Sequence, residues 1–200
     1  MKLDRIEVSG FFHFTQPTVL DLRELPSGII AITGPNGAGK TSVVLDSGLA
    51  ALYGVFPSRG GVLQDYSTSR DSYLDALWSM TGEGAYRIRV GVDGTKRVAD
   101  AVLEQILPDG RHQPLNDGKI STFKDAVARL FPSKRSVLAS AFAAQNKAGS
   151  FVELGQKDRS ELFAELADLS HLEKKSQTSK ACANIASAAI DKLRVMSDVL

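Results

Sequence analysis

The run Gly34-Pro35-Asn36-Gly37-Ala38-Gly39-Lys40-Thr41 sets two glycines five residues apart, with a lysine after the second and a hydroxyl after the lysine. Glycines let the backbone bend until successive N–H groups and a helix N-terminus converge on one point, which suits phosphate oxygens. Lys40 then serves as a point charge between β- and γ-phosphates, and the Thr41 hydroxyl ligates Mg2+. A turn that only starts a helix needs neither side chain.

Such a cradle requires a strand before it and a helix after it. Ile29-Ile30-Ala31-Ile32-Thr33 is a short apolar run between glycines and predicts a fully buried, parallel-type strand. Lys40 to about Tyr53 predicts the helix. Upstream, Leu3 to Val8 alternates apolar and polar residues, and Thr18 to Leu22 is a second extended stretch. Downstream, Gly54 to Arg70 reads as an ordered surface loop. Ser72 to Met80 and Tyr86 to Val92 predict strands joined by Thr81-Gly82-Glu83-Gly84, with a third strand from Val98 to Leu107 before the turn Pro108-Asp109-Gly110. Ser121 caps a helix ending at Phe131 before Pro132, and another helix from about Ser136 leads into Ala143-Ala144-Gln145-Asn146. From Asp158 onward proline disappears. Leu162, Leu166 and Leu169, then Cys182, Ile185, Ala189, Leu193, Met196 and Leu200, recur at steps of three and four, as the root of a coiled coil or one face of an amphipathic surface helix would.

Composition narrows the class. With 43% hydrophobic and 24% charged residues in 200, the chain is an ordinary globular protein. No apolar run approaches the ~20 residues of a membrane span. Charge in Met1 to Arg5 stands where an export signal has its apolar stretch, so a cytoplasmic location is expected. One cysteine, Cys182, cannot form an internal disulfide, and His13, His112 and His171 lack metal-ligand spacing, which makes them structural or exposed. A net charge of +1 confines any nucleic-acid contact to a local patch. Tyr86 to Arg135 is the candidate, with ten Lys/Arg against six Asp/Glu, including Lys96, Arg97, Lys119, Lys124, Lys134 and Arg135; a solvated face is the alternative.

The phosphate loop alone says only nucleoside triphosphate, since kinases, GTPases, helicases and ABC-type ATPases share it. No apolar run ending in Asp-Glu follows; Gly61-Val62-Leu63-Gln64-Asp65 comes nearest and lacks the Glu. No Leu-Ser-Gly-Gly-Gln occurs either. The catalytic carboxylate is therefore expected outside this chain.

Met1 to Ile6, Ile32 to Ser42 and Leu52-Tyr53-Gly54 resemble the N-terminal segment of the SbcC-type DNA-repair ATPases of the SMC superfamily. The likeness continues through Arg70 to Asp75, Tyr86 to Arg89, and Gln145 to Leu166, where Gln145, Phe151, Lys157, Asp158, Arg159 and Leu162 fall as in that family's Q-loop and following helix. In that family the ATPase is split into an N-terminal Walker A lobe, a long coiled coil and a C-terminal lobe carrying signature, Walker B and D-loop. The resemblance implies an α/β P-loop NTPase fold, the N-terminal lobe of an ABC-ATPase head with an antiparallel sub-sheet and a C-terminal coiled-coil helix. The lobe is expected over residues 1–157 and the coiled-coil start over 158–200. ATP and Mg2+ are the implied cofactors. The phosphate loop maps onto Asn36, Gly37, Ala38, Gly39, Lys40, Thr41 and Ser42, and the Q-loop glutamine onto Gln145, whose amide would reach Mg2+ and the attacking water. Around adenine and ribose the resemblance points to Phe11, Phe12 and His13 and to Asp65, Tyr66 and Ser67. Many relatives carry arginine where Phe12 stands; its ring would stack on the base or join the core. Arg59 and Arg70, in the loop after the helix, either approach the nucleotide or stay solvated. Trp78 reads as core.

As implied partners come a second head, an SbcD-type nuclease and double-stranded DNA, in a cytoplasmic, nucleoid-associated setting without membrane. Two other readings stand beside this one: a chromosome-organising or recombination SMC ATPase without a nuclease, and the nucleotide-binding domain of an ABC transporter.

Overall fold

The computed structural model describes residues 1–26, 28–82, 84–140 and 154–167, with 176, 178–180, 182–185 and 187 beyond. Alternation in the first residues folds as expected into strand β1 (Lys2–Ser9), which turns Leu3, Ile6 and Val8 inward. A register irregularity between Leu3 and Arg5 lets residues three apart share that face. β1 pairs with β2 (Thr18–Asp21) on one side and β3 (Ser72–Met80) on the other; β4 (Gly84–Asp93), β5 (Val98–Ile106) and a short β6 (His112–Pro114) complete an all-antiparallel sheet ordered β2-β1-β3-β4-β5-β6. The polar trio His112-Gln113-Pro114 carries no apolar alternation, so its pairing with β5 is absent from the sequence pattern.

One face of the sheet is apolar and the other wet. Leu74, Ala76, Trp78, Ile88, Val90, Val92, Ala101 and Leu103 point inward and are buried. On the outer face Glu7 accepts from Arg5 (2.6 Å) and from the Tyr73 hydroxyl (2.5 Å), and Arg87 grips Asp75 at 2.6 Å. That asymmetry is what an antiparallel sheet covered on one side should show.

Two helices cover the apolar face. The stretch after the glycine loop winds as a π turn (Ser42–Asp46) and then as α1 (Ser47–Tyr53), whose Leu49 to Leu52 are buried. Gly48 brings its backbone onto the sheet: a Cβ there would sit 2.9 Å from Leu3 and 3.4 Å from Trp78. Helix α2 (Ile120–Leu130) buries Phe123, Ala126 and Val127, and stops at Phe131 ahead of Pro132. Its start differs from the Ser121 expectation: the helix begins at Ile120 after the N-cap Lys119, which gives no side-chain cap, and Asp117 just ahead of it accepts from the Lys119 amide (3.2 Å) and the Thr122 hydroxyl. Helix α3 (Lys134–Ser140) starts two residues before Ser136, with the Ser136 amide donating to Ser133 Oγ at 3.2 Å.

Helix α4 (Gln156–Leu166) packs on α3 and buries Leu162 fully, while Arg135 pairs with Asp158 (3.3 Å) and Glu161 (3.5 Å). The boundary expected after residue 157 falls inside α4. Cys182 and Ile185 are exposed; Leu169, Ala189, Leu193, Met196 and Leu200 lie outside the described residues.

One expectation is overturned. Ile29 to Thr33 forms no strand: Ile29 is fully exposed, Ile30 46% and Ile32 41% exposed. A strand exists only when its N–H and C=O groups find a neighbour, and no described strand pairs with this segment.

A candidate phosphate-binding site

The glycine loop is exposed from Gly34 to Ala38 and becomes helical at Lys40 and Thr41. Helical bonding begins with the Val43 amide donating to Gly39 O at 2.9 Å, and the Ala38 amide closes the turn on Pro35 O at 3.3 Å. Lys40 bends back over the loop, its Nζ donating to the carbonyls of Gly34 and Pro35, both at 2.7 Å. These carbonyl oxygens hold the ammonium where phosphate oxygens would compete for it.

The connection between β1 and β2 closes against this loop. Gly39 has φ +80°, and a Cβ there would lie 2.3 Å from Phe14 Cζ and 2.5 Å from His13 Cε1. The His13 and Phe14 rings meet at a tilt of 41°, with centroids 4.0 Å apart. Phe12, at φ +53°, turns its ring away into an aromatic group with Phe56 (4.9 Å) and Tyr66 (5.2 Å). The Phe12 amide donates to Tyr66 O at 3.2 Å, and Phe11 bridges to Ser67. Phe11 to His13 and Asp65 to Ser67, remote in sequence, thus lie side by side.

Their side chains are engaged within the protein. Asp65 pairs with Arg97 at 2.6 Å and accepts from the Val62 amide at 3.1 Å; the Arg97 contact, helped by that amide, holds its carboxyl below the usual range. The Tyr66 hydroxyl donates to Arg59 O at 3.3 Å, and Ser67 Oγ reaches Ser69 O (2.9 Å) and Ser72 Oγ (2.8 Å). Ser42, expected at the nucleotide, is 3% exposed, and its carbonyl accepts both the amide and the hydroxyl of Ser47. Thr41 is half-buried at the start of the helix. Gln145 lies outside the described residues.

Three features escape sequence reasoning. The Arg59 guanidinium covers the Phe12 ring, Cζ to centroid 4.6 Å, so the loop arginine is seated. Phe14 packs against the glycine loop. Asp46 is buried at the end of the π turn at 1% exposure, signalled only by an acid set between apolar stretches.

The basic stretch is largely neutralised. Arg87 and Arg89 meet Asp75, Lys96 meets Asp93, Arg97 meets Asp65, Arg111 meets Asp109 and Lys119 meets Asp117. Lys124, Arg129 and Lys134 form no ion pair among the described residues. His112 pairs with Glu104 at 2.8 Å, and His171 lies outside the described residues. Among the described residues no cluster of three His, Cys, Asp or Glu could hold a metal, and no helix is long and apolar enough to cross a membrane.

Residues 5–195 match the protein family described as AAA domain, nearly the whole chain. The chain belongs to the AAA domain family. This AAA domain is similar to the chromosome partition protein Smc of Xanthomonas oryzae pv. oryzae, 29% identical over 134 residues, which is 65% of this chain and 9% of that protein. Smc of Methylococcus capsulatus is 23% identical over 177 residues (85% of this chain, 15% of that protein), and Smc of Rhodopirellula baltica 25% over 179 (86% and 14%). The AAA domain therefore spans no more than 15% of the length of these relatives. In fold it resembles a chain solved in work on ATP-driven dimerization and DNA-stimulated activation of SMC ATPases, with TM-score 0.54 and 18% identity over 83% of this chain and 99% of that one. The architecture, mixed α/β with an antiparallel sheet, is similar in fold to that solved SMC ATPase chain.

Proposed function

We propose that the chain is the nucleotide-binding N-terminal lobe of a split SMC-like ATPase that dimerises around ATP, acts on double-stranded DNA and, as an SbcC-type repair protein, controls an SbcD-type nuclease. The observation that carries the nucleotide reading is the glycine loop itself: an exposed cradle at a helix start, with Lys40 Nζ held over it by two carbonyls that a phosphate would displace. Lys40 grips β- and γ-phosphate oxygens. The donor set fits Mg2+ shared with phosphate, with the Thr41 hydroxyl and the Gln145 amide as its protein ligands; when bound, the ion neutralises phosphate charge. In this reading His13, which packs against Gly39, would face the adenine and ribose.

Two observations support a lobe completed from outside. Asp46 is buried and Asp65 is paired with Arg97, so neither is a free general base. Ile29, Ile30 and Ile32 expose apolar surface immediately before the loop, where a buried strand was expected. A lobe bringing signature, Walker B and a pairing strand satisfies both. ATP-driven dimerization and DNA-stimulated activation were studied for the solved SMC ATPase, and that precedent supports two heads and DNA here.

Titration with ATP and Mg2+ tests the site. Wild type binds, and Lys40→Ala loses at least about a hundredfold in affinity, consistent with removing a charge-assisted contact of roughly 3 kcal/mol; unchanged affinity sinks the reading. The names of the three relatives favour a second reading, a chromosome-partition ATPase without a nuclease. Co-purification of the full-length protein with a nuclease subunit separates the two.

A further inference from the structure

We propose that Asp46 is a positioning residue that ties the helix after the glycine loop to the loop bearing Arg59, so that phosphate occupancy is felt at the Arg59 guanidinium. The inference rests on the nucleotide reading above. Asp46 closes the π turn, a stretch wound one residue wider than an α-helix and of a kind that recurs at functional sites. At 1% exposure its carboxylate has given up water, a cost that only specific partners offset. Oδ1 accepts from the Ser58 amide at 3.1 Å; Oδ2 and the Ser58 hydroxyl are both buried and without a hydrogen-bond partner among the described residues. Burial pushes the Asp46 carboxyl up, opposed first by the nearby Ser58 and then by the charge of Arg59, which pairs with no carboxylate among the described residues.

What Asp46 holds is a tight loop. The amides of Arg59 and Gly60 both donate to Phe56 O, at 3.1 and 3.0 Å, and Phe56 bridges to Gly60. Fixing Ser58 therefore fixes its neighbour Arg59, whose guanidinium rests on Phe12. Phe12 adjoins His13, and His13 touches the Gly39 position. The contacts close a ring: glycine loop, His13, Phe12, Arg59, Ser58, Asp46, π turn, and back to the glycine loop. A phosphate that orders the glycine loop restrains the ring from two sides, which lowers the entropy left to the Arg59 loop.

Trypsin cleavage after Arg59, read by mass spectrometry on the 200-residue chain with and without ATPγS and Mg2+, tests the link. Wild type should be cleaved about tenfold more slowly with nucleotide. Asp46→Ala should keep ATPγS affinity within about threefold yet lose the nucleotide-dependent protection, and Asp46→Asn, which keeps an acceptor for the Ser58 amide, should regain it. Undiminished protection in a nucleotide-bound Asp46→Ala protein overturns the link alone. Wild type that binds no ATPγS overturns the nucleotide reading and the link with it. Should Asp46→Ala fail to fold, hydrogen exchange of the Ser58 amide in wild type decides: slowing with ATPγS supports the link, and unchanged exchange in the bound protein rejects it.

Discussion

Gly39 shows how much one absent carbon can hold in place. Its φ of +80° is a region that side chains resist, and His13 and Phe14 occupy the volume a methyl would take. Gly39→Ala should cost about 2 kcal/mol, a fall of about 5 °C in melting temperature by calorimetry, and should weaken ATP binding as His13 is pushed off the loop. The glycines, Lys40 and Thr41 could be read as a candidate phosphate site from the sequence because the chemistry proposed for them is encoded in consecutive residues. The Arg59 contact with Phe12 was not, since it joins two loops 47 positions apart and depends on a positive φ at a phenylalanine. Asp46 was passed over for a related reason: an acid in a helix ordinarily faces water, and only the packing of the Phe56 to Gly60 turn shows that this one does not.

At the scale of elements, periodicity located β1, β3, β4, β5 and the helices closely, because each buries one face against a partner inside the chain. It failed at Ile29 to Thr33. Apolar content says that a segment wants burial, whereas pairing depends on a neighbour that the local pattern cannot name. The cap of α2 was misplaced by two residues, Lys119 standing where Ser121 was expected, and the turn ahead of it carries a pH signature. The Thr122 hydroxyl, then the Lys119 amide, holds the Asp117 carboxyl down to about 2. A depressed folded-state pKa stabilises above the ordinary carboxylate value near 4 and loses that stabilisation as pH falls toward 2. Asp117→Ala should therefore lower the denaturation midpoint at pH 7, with the gap from wild type closing between pH 4 and 2; an equal gap throughout excludes the Asp117 carboxylate as the source of that stabilisation.

For the molecule as a whole, the reading of a divided ATPase makes two demands. The isolated chain should bind ATP yet turn it over negligibly, and robust phosphate release by a clean preparation would show a general base within these residues. Addition of a separately produced C-terminal lobe should restore turnover. Ile30→Asp with Ile32→Asp should abolish that rescue while leaving the melting temperature of this chain within about 2 °C, because both side chains are already solvated. Retained rescue would move the seam elsewhere. The proposed division was read from absent motifs, while the surface proposed to meet the other half became visible only as solvated isoleucines.

The far margin of the sheet has a consequence for solubility. β6 is three exposed residues long and ends in Pro114, which offers no amide. Short strands and prolines blunt the rows of unsatisfied groups through which sheets fuse into aggregates. Growth by stacking copies edge to edge is thereby discouraged on that flank, so a concentrated solution of this chain should clump, if at all, through its bare isoleucines.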